Sequence, residues 1–524
     1  MPAFKELMGV VSPRLLSSVI RKRSRNRKKK KKTKTKTKAQ EINPGAAADE
    51  DPEGGIDSAV EMEEEAGGFD LKSSSSSLSH AIQPLGNLLL AGDPSANIRH
   101  RGLGSLFVLS DELLLDVLSL LPAGDLARLA AVSKSLYVFS THDPLWRNLV
   151  LEDLRGDFLF TSSWRSTYAS AAAGFISPGG AAVRIRDFYS DYLFQSWLCA
   201  SMEMKPEWLR TENIKRRRGI SVEEFVSCFE EPNIPVLLEG CMEDWPAASQ
   251  WDHAGLVGIC KGAKFAVGPV EMDMESYFQY GGAAREERPL YLFDPKFADK
   301  VPELCSDYQV PEYFREDLFS VLGDERPDYR WIIVGPAGSG SSFHVDPNST
   351  SAWNAVIKGS KKWVMFPPEV APPGVHPSAD GSEVACPVSI MEWFMNFYGA
   401  CRDWPKRPVE CVCRAGEIVF VPNGWWHLVI NLEDSVAITQ NYVSRRNLLN
   451  VLDFLRRPNA KELVSGTEDR VNLYEKFRCA VESYFPGLID ELRKKAEGKM
   501  AEEKKMTFWE SVSDANTGGF KFSF

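Results

Sequence analysis

Residues 341–355 read SSFHVDPNSTSAWNA, and residues 416–431 read GEIVFVPNGWWHLVIN. On an extended strand, residues two apart point to the same side, so His344 and Asp346 aim together. His427 follows a turn built from Pro422, Asn423 and Gly424, in the spacing G-x5-P-x-G-x2-H-x3-N. Two imidazoles and one carboxylate on one face leave three positions of an octahedron open, the donor set of a non-haem Fe(II) oxygenase. The open positions suit a bidentate oxoacid and dioxygen. A lone histidine is more often a core residue than a ligand, and an isolated H-x-D pair says little. The two motifs together make His344, Asp346 and His427 the candidate metal ligands and catalytic residues. Zinc is the inorganic rival, since histidine and carboxylate bind it as well. A zinc hydrolase would also need a general base, and the motifs assign none.

The sequence around these motifs is rich in short β-branched or aromatic runs separated by Gly, Pro and Asn. Strands are expected at Ile234–Leu238, Leu290–Phe293, Trp331–Val334, Ser351–Ile357, Lys361–Phe366, Glu417–Val421, Trp425–Asn431 and Val436–Tyr442, a barrel-like pattern. Lys358-Gly359-Ser360 reads as a tight hairpin. On the last strand Ala437, Thr439 and Asn441 share one small, polar face. Residues 367–408 are Pro-rich and irregular, either a substrate cleft carrying Trp393 and Trp404 or a surface insertion. Beyond residue 445 the pattern turns helical, at Asn447–Leu455, Asp469–Tyr484 and Gly487–Lys505.

Towards the N-terminus the composition changes. The run Arg21–Lys38 holds thirteen Lys or Arg and no acid, so a net charge of −10 leaves −23 on the remainder. The run self-repels and cannot build a core. It reads as a nuclear localisation signal, with weak nonspecific contact to nucleic acid as the plainer alternative. An acidic stretch (Asp49–Glu65) and a serine run (Ser73–Ser77) follow, so residues 1–100 are expected to be a disordered leader. The acidic remainder favours cationic protein partners over nucleic acid. The ten cysteines form no C-x-x-C pair and read as reduced thiols. No apolar run approaches membrane-spanning length, so no membrane partner is expected.

From Leu106 apolar residues recur at helical spacing. Ser110 can cap a helix from Asp111 to Leu121, ended by Pro122; a second starts near Asp125 and a third at Pro144. The text LSDELLLDVLSLLPAGDLARLAAVSKSL, followed by DPLW, resembles the F-box. That resemblance covers residues 106–152 and implies docking to the Skp adaptor of a cullin-RING ubiquitin ligase.

A second resemblance covers about half the chain. The segments PLYLFD (Pro289–Asp294), YRWIIVGP (Tyr329–Pro336), HVDPNSTSAWNA (His344–Ala355), FVPNGWWHLVINL (Phe420–Leu432) and AITQNY (Ala437–Tyr442) resemble the jumonji-C oxygenases. They resemble in particular the subgroup of arginine demethylases and lysyl hydroxylases. The resemblance implies an α+β chain: a double-stranded β-helix over residues 187–445, the helical F-box before it, and a helical region at 446–524. It implies Fe(II) on the triad and 2-oxoglutarate as cosubstrate. Lys361 matches the lysine that pairs with the distal carboxylate of 2-oxoglutarate, and Thr439 the hydroxyl beside it. Asn354 and Tyr291 match further cosubstrate contacts. The substrate so implied is a basic protein. Histone arginine demethylation comes first and lysyl hydroxylation of nuclear proteins second. A ligase receptor with a non-catalytic barrel is the reading from a different class.

Overall fold

The computed structural model describes residues 82–172, 183, 185–499 and 501. The basic run, the acidic stretch and the serine run lie outside the described residues, as does most of the Gly/Ala-rich segment near 173–182.

Order begins before residue 100, which corrects the expected leader. Strand β1 (Ile82–Gln83) pairs in parallel with β2 (Phe188–Tyr189). A helix follows at Ile98–Leu103, capped by Asn97, whose side-chain amide also donates to the Tyr189 carbonyl. Arg99 explains why this stretch folds. Its Nε meets Asp111 at 2.6 Å and Nη1 donates to the Phe107 carbonyl, so a nearly buried guanidinium is fully engaged. Ser190 donates to the other oxygen of Asp111, tying the start of the F-box-like helices to the oxygenase region.

The F-box-like segment forms helices at Asp111–Leu118, Ala123–Ala130, Lys134–Ser140 and Asp143–Asp153. Ser110 caps the first by accepting from the Leu113 N–H. That helix stops three residues earlier than expected: the Leu120 and Leu121 N–H groups turn to the carbonyls three residues back, on Val117 and Leu118, tightening the chain ahead of Pro122. The helix at Lys134–Ser140, capped by Ser133, is a fourth element that the apolar spacing alone did not separate.

The strands of the oxygenase run in chain order. β3 (Lys215–Arg218), β4 (Val236–Glu239), β5 (Lys264–Val267), β6 (Val270–Asp273), β7 (Leu292–Asp294) and β8 (Arg330–Gly335) come before β9 (Gly340–His344). β10 (Ser351–Lys358) and β11 (Ser360–Phe366) flank Gly359, whose φ of +75° suits a residue without Cβ. β12 (His376–Pro377) and β13 (Val384–Ala385) form a small exposed hairpin. β14 (Val409–Arg414), β15 (Glu417–Val421), β16 (Trp426–Asn431) and β17 (Ser435–Tyr442) complete the set. One sheet has the order β3-β4-β15-β10-β17-β8-β7-β5-β6 and the other β14-β11-β16-β9. Leu237, Ala352, Val356 and Val419 of the larger sheet pack against Trp363, Met365, Cys411, Cys413 and Val429 of the smaller. The fold is therefore a cupin-like double-stranded β-helix.

Residues 367–408 are a structured cap rather than an open cleft. A helix at Ile390–Asn396 buries Trp393 and Phe394 against Phe343, Phe366 and Leu428 on the outer face of the smaller sheet. Trp404 packs at its margin and donates to the Ala371 carbonyl at 2.9 Å. Helices at Leu448–Leu455, Leu473–Tyr484 and 488–499 build a further core with Leu318 and Phe319.

Candidate active site

β9 ends on His344, and His427 on β16 is its direct partner across the ladder. The two rings lie 4.1 Å apart between centroids. Asp346 stands just beyond the strand with φ −61° and ψ 145°, still extended, so the alternation continues and brings its carboxylate to the same side. One donor atom from each of His344, Asp346 and His427 lies within 4.8 Å of the others.

The surroundings prepare these atoms for a cation. His344 Nδ1 faces the Ser342 carbonyl at 2.8 Å, and His427 Nδ1 faces the Trp425 carbonyl at 3.0 Å. A ring nitrogen facing a carbonyl carries the proton, so each Nε2 is left with a free lone pair. Burial holds both imidazoles down to about 4, keeping them neutral at physiological pH. Burial pushes Asp346 up to about 6, against the pull of His344 and a hydrogen bond from Asn441. Its Oδ2 is buried without a hydrogen-bond partner, an arrangement costly for a carboxylate unless a cation compensates.

Along the same inner face lies Lys361. On β11 it stands opposite Asn431, while Met365 stands opposite His427. Lys361 is 1% exposed. Its ammonium donates to Asn431 Oδ1 at 2.7 Å and Tyr291 Oη at 3.2 Å. Among the described residues no carboxylate pairs with it, and burial depresses it to about 7. Its neighbour Lys362, which the strand alternation turns away from the site, is wholly buried on the outer face. It bonds Glu410 at 2.8 Å and the Thr211 carbonyl at 2.9 Å, since the cap and residues 205–214 cover that side. Asn354 pairs in register with Thr439 across β10 and β17, and its buried Oδ1 has no partner. The Thr439 hydroxyl donates to the Trp353 carbonyl at 2.9 Å, so it must rotate before it can donate to a ligand.

The similarities of the whole chain can be set beside this geometry. A cupin-like domain matches residues 262–447, and an F-box-like domain matches residues 111–152. The arginine-specific demethylase JMJ22 of Arabidopsis thaliana is 66% identical over 463 residues, 87% of this chain and 91% of that protein. The chain belongs to the jumonji-C oxygenase family. The lysine-specific demethylase JMJ21 of Arabidopsis thaliana is 37% identical over 67% of this chain and 38% of its own length. The bifunctional arginine demethylase and lysyl-hydroxylase psr-1 of Caenorhabditis elegans is 39% identical over 45% of this chain and 63% of its own.

Iron and 2-oxoglutarate are the cofactor and cosubstrate of jumonji-C oxygenases, and the residues present fit both. Two free imidazole lone pairs and an orphaned carboxylate oxygen converge on one point. A buried, acid-free ammonium stands farther along the same face, where a short dicarboxylate would neutralise it. The sequence reading gave no role to Asn431 or Ser339. Asn431 orients Lys361 and itself donates to Ser339 Oγ at 2.9 Å. Period-two counting from His427 along β16 would have placed Asn431 on the inner face.

Proposed function

We propose that this jumonji-C chain is a nuclear protein oxygenase and chromatin regulator that removes methyl groups from arginine in histone tails. The observation that carries the oxygenase reading is the two-histidine, one-carboxylate cluster on the same face as a buried lysine that, among the described residues, no carboxylate neutralises. The extensive similarity to an arginine-specific demethylase supports the substrate. His344, Asp346 and His427 would hold iron, and Lys361 with Tyr291, Asn354 and Thr439 would hold 2-oxoglutarate. Bound iron and 2-oxoglutarate would together activate dioxygen, the oxidant for a substrate C–H bond. The protein's part is to keep both Nε2 atoms unprotonated, to aim the cosubstrate through Lys361, and to exclude water with the apolar residues on either side. A hydroxylated N-methyl group loses formaldehyde unaided, so the carbon placed near the metal decides the product.

Incubation with Fe(II), 2-oxoglutarate and a histone-tail peptide bearing methylated arginine is expected to yield formaldehyde, succinate and peptide that has lost a methyl group. Mass spectrometry reads the outcome. Oxygen retained on lysine, with methylarginine untouched, would overturn the substrate and favour lysyl hydroxylation, the second activity in the name of psr-1, a bifunctional arginine demethylase and lysyl-hydroxylase.

The cosubstrate lysine has its own expected result. Lys361→Met should raise the KM for 2-oxoglutarate at least ~10-fold, as loss of a charge-assisted bond implies. Thermal stability without cosubstrate should hold or rise, because an unneutralised buried charge is removed. An unchanged KM would remove Lys361 from the site.

The F-box-like helices would bind a Skp-type adaptor, their exposed Leu113, Val117, Leu120 and Val132 offering an apolar surface. The Arg21–Lys38 run would supply the nuclear address and weak contact with nucleic acid.

A further inference from the structure

Three polar side chains stand around the buried ammonium of Lys361, and none of them carries a charge. Asn431 Oδ1 accepts from it at 2.7 Å and Tyr291 Oη at 3.2 Å. Cys413 stands opposite Lys361 across the β11–β14 ladder. Burial pushes the Tyr291 phenol and the Cys413 thiol well above their ordinary ranges, so both stay protonated. The nearest acceptor, Asn431, is an amide and does not ionise. An aspartate of the same shape would have supplied the missing countercharge at the same place.

The amide is held in one orientation. Asn431 is 1% exposed. Its backbone N–H donates to the Ser339 carbonyl, and its own carbonyl accepts from the Gly338 N–H, both at 2.8 Å. Its side-chain Nδ2 donates to Ser339 Oγ at 2.9 Å. The Ser339 hydroxyl is committed as a donor to the Pro336 carbonyl at 2.6 Å, so towards Asn431 it accepts. An ammonium only donates, which leaves Oδ1 for Lys361 and Nδ2 for the serine. Gly335 makes room for this arrangement: a Cβ there would stand 2.6 Å from Asn431 Nδ2 and 2.3 Å from Ser339 Oγ. The turn at 336–339 therefore presses a neutral acceptor against a buried cation.

We propose that Asn431 is the positioning residue that gives the cosubstrate site its preference for a dicarboxylate: its amide aims Lys361 while leaving the ammonium uncompensated, so that a ligand's distal carboxylate completes the ion pair. The proposal rests on the oxygenase reading for the identity of that ligand, 2-oxoglutarate. A buried cation without a counterion is costly. A carboxylate arriving beside it recovers that cost as affinity, through a charge-assisted hydrogen bond. An acid built into the wall would recover it during folding instead, and the ligand would then meet a neutral pair.

Asn431→Asp tests this directly, since it keeps the shape and supplies the internal countercharge. The Ser339 hydroxyl can turn to donate to the second carboxylate oxygen. Calorimetric titration of the full chain loaded with Mn(II) compares 2-oxoglutarate with 2-oxobutanoate, which keeps the oxoacid and lacks the distal carboxylate. Asn431→Asp should weaken 2-oxoglutarate binding on the order of 10- to 100-fold, the worth of a hydrogen bond to a charged group. Binding of 2-oxobutanoate should stay as weak as in the wild type. Without ligand the variant should melt no lower than the wild type. Ser339→Ala frees the amide to turn and adds no charge. It should weaken 2-oxoglutarate about 5-fold, with 2-oxobutanoate again unmoved. Undiminished 2-oxoglutarate affinity in either variant sinks the proposal and leaves the oxygenase reading standing. A lower melting temperature in Asn431→Asp, with both ligands weakened alike, also sinks it and marks the amide as a structural brace. Wild-type protein that binds 2-oxoglutarate no better than 2-oxobutanoate would remove the cosubstrate role of Lys361, and this proposal with it.

Discussion

His344→Ala, His427→Ala and Asp346→Asn should each reduce 2-oxoglutarate turnover to background while leaving a folded protein. Each ligand is one of only three, and the remaining coordination positions must stay open for reactants, so no protein group can substitute. The folded state is less sensitive. His427 sits within a ladder paired on both sides, to β11 and β9, and beyond its Trp425 bond its ring stacks on Trp363 and lies tilted against His344. Asp346→Asn is the sharper variant, since it keeps the shape and removes a buried charge with an orphaned oxygen. Without metal it should melt at or above the wild-type temperature. With metal the order should reverse. Ligand at about 100 times its Kd stabilises a native state by about 2.7 kcal/mol, a gain the wild type shows and the variant lacks. Melting curves with and without Mn(II), beside succinate assays, decide this. A variant that keeps both the metal-dependent shift and the turnover would remove that residue from the ligand set. The pH dependence has a definite sign. With Asp346 raised to about 6 in the metal-free protein, protons compete for the site as pH falls through 6, so metal affinity drops there. The histidines, held near 4, add competition only at lower pH.

How much of this was legible depended on how far each signal reaches along the chain. The triad was readable because its information is local: a strand period of two and a Gly/Pro turn place His344, Asp346 and His427 without any knowledge of the rest. The central strands were readable for the same reason. β3 was not, since its sequence KRRR carries neither alternation nor apolar character. It is held at the sheet edge by parallel pairing to β4 and by Arg216 bonds to Glu212 and Glu417. The burial of Lys362 was equally invisible, because its partners Glu410 and Thr211 come from distant segments. Residues 82–103 looked like leader because their anchors are also remote: Asp111 for Arg99 and Tyr189 for Asn97.

The largest departure concerns modularity, and Leu114→Asp should expose it by unfolding the oxygenase together with the F-box-like helices. In sequence the two regions are separated by a Gly/Ala-rich stretch, the composition of a linker between independent modules. In the fold one apolar core joins them. It runs from Leu114, Leu118 and Phe139 through Trp146, Phe160 and Trp164 to Met272, Tyr277 and Tyr280, then on to Trp353 and Phe420 of the barrel. Phe160 and Trp164 approach Tyr280 at 5.4 and 5.6 Å between ring centroids. Gly156 lies so close to β6 that a Cβ there would meet the Glu271 carbonyl oxygen at 1.9 Å. Arg147 and Glu286 add a half-buried ion pair at 3.2 Å. Leu114 is 0% exposed, so aspartate there must bury an unpaired charge or break the packing. Either costs several kcal/mol, a large share of the ~5–15 kcal/mol that typically holds a domain together. One residue earlier, Leu113 is 53% exposed, and Val117 is 47% exposed. Leu113→Asp and Val117→Asp should therefore melt like the wild type and turn over 2-oxoglutarate normally, while losing capture by purified Skp-type adaptor. The contrast within one helix separates the docking face from the core. A Leu114→Asp protein that stays soluble with wild-type turnover would mean that the shared core is not what holds the oxygenase together, and would restore the modular picture.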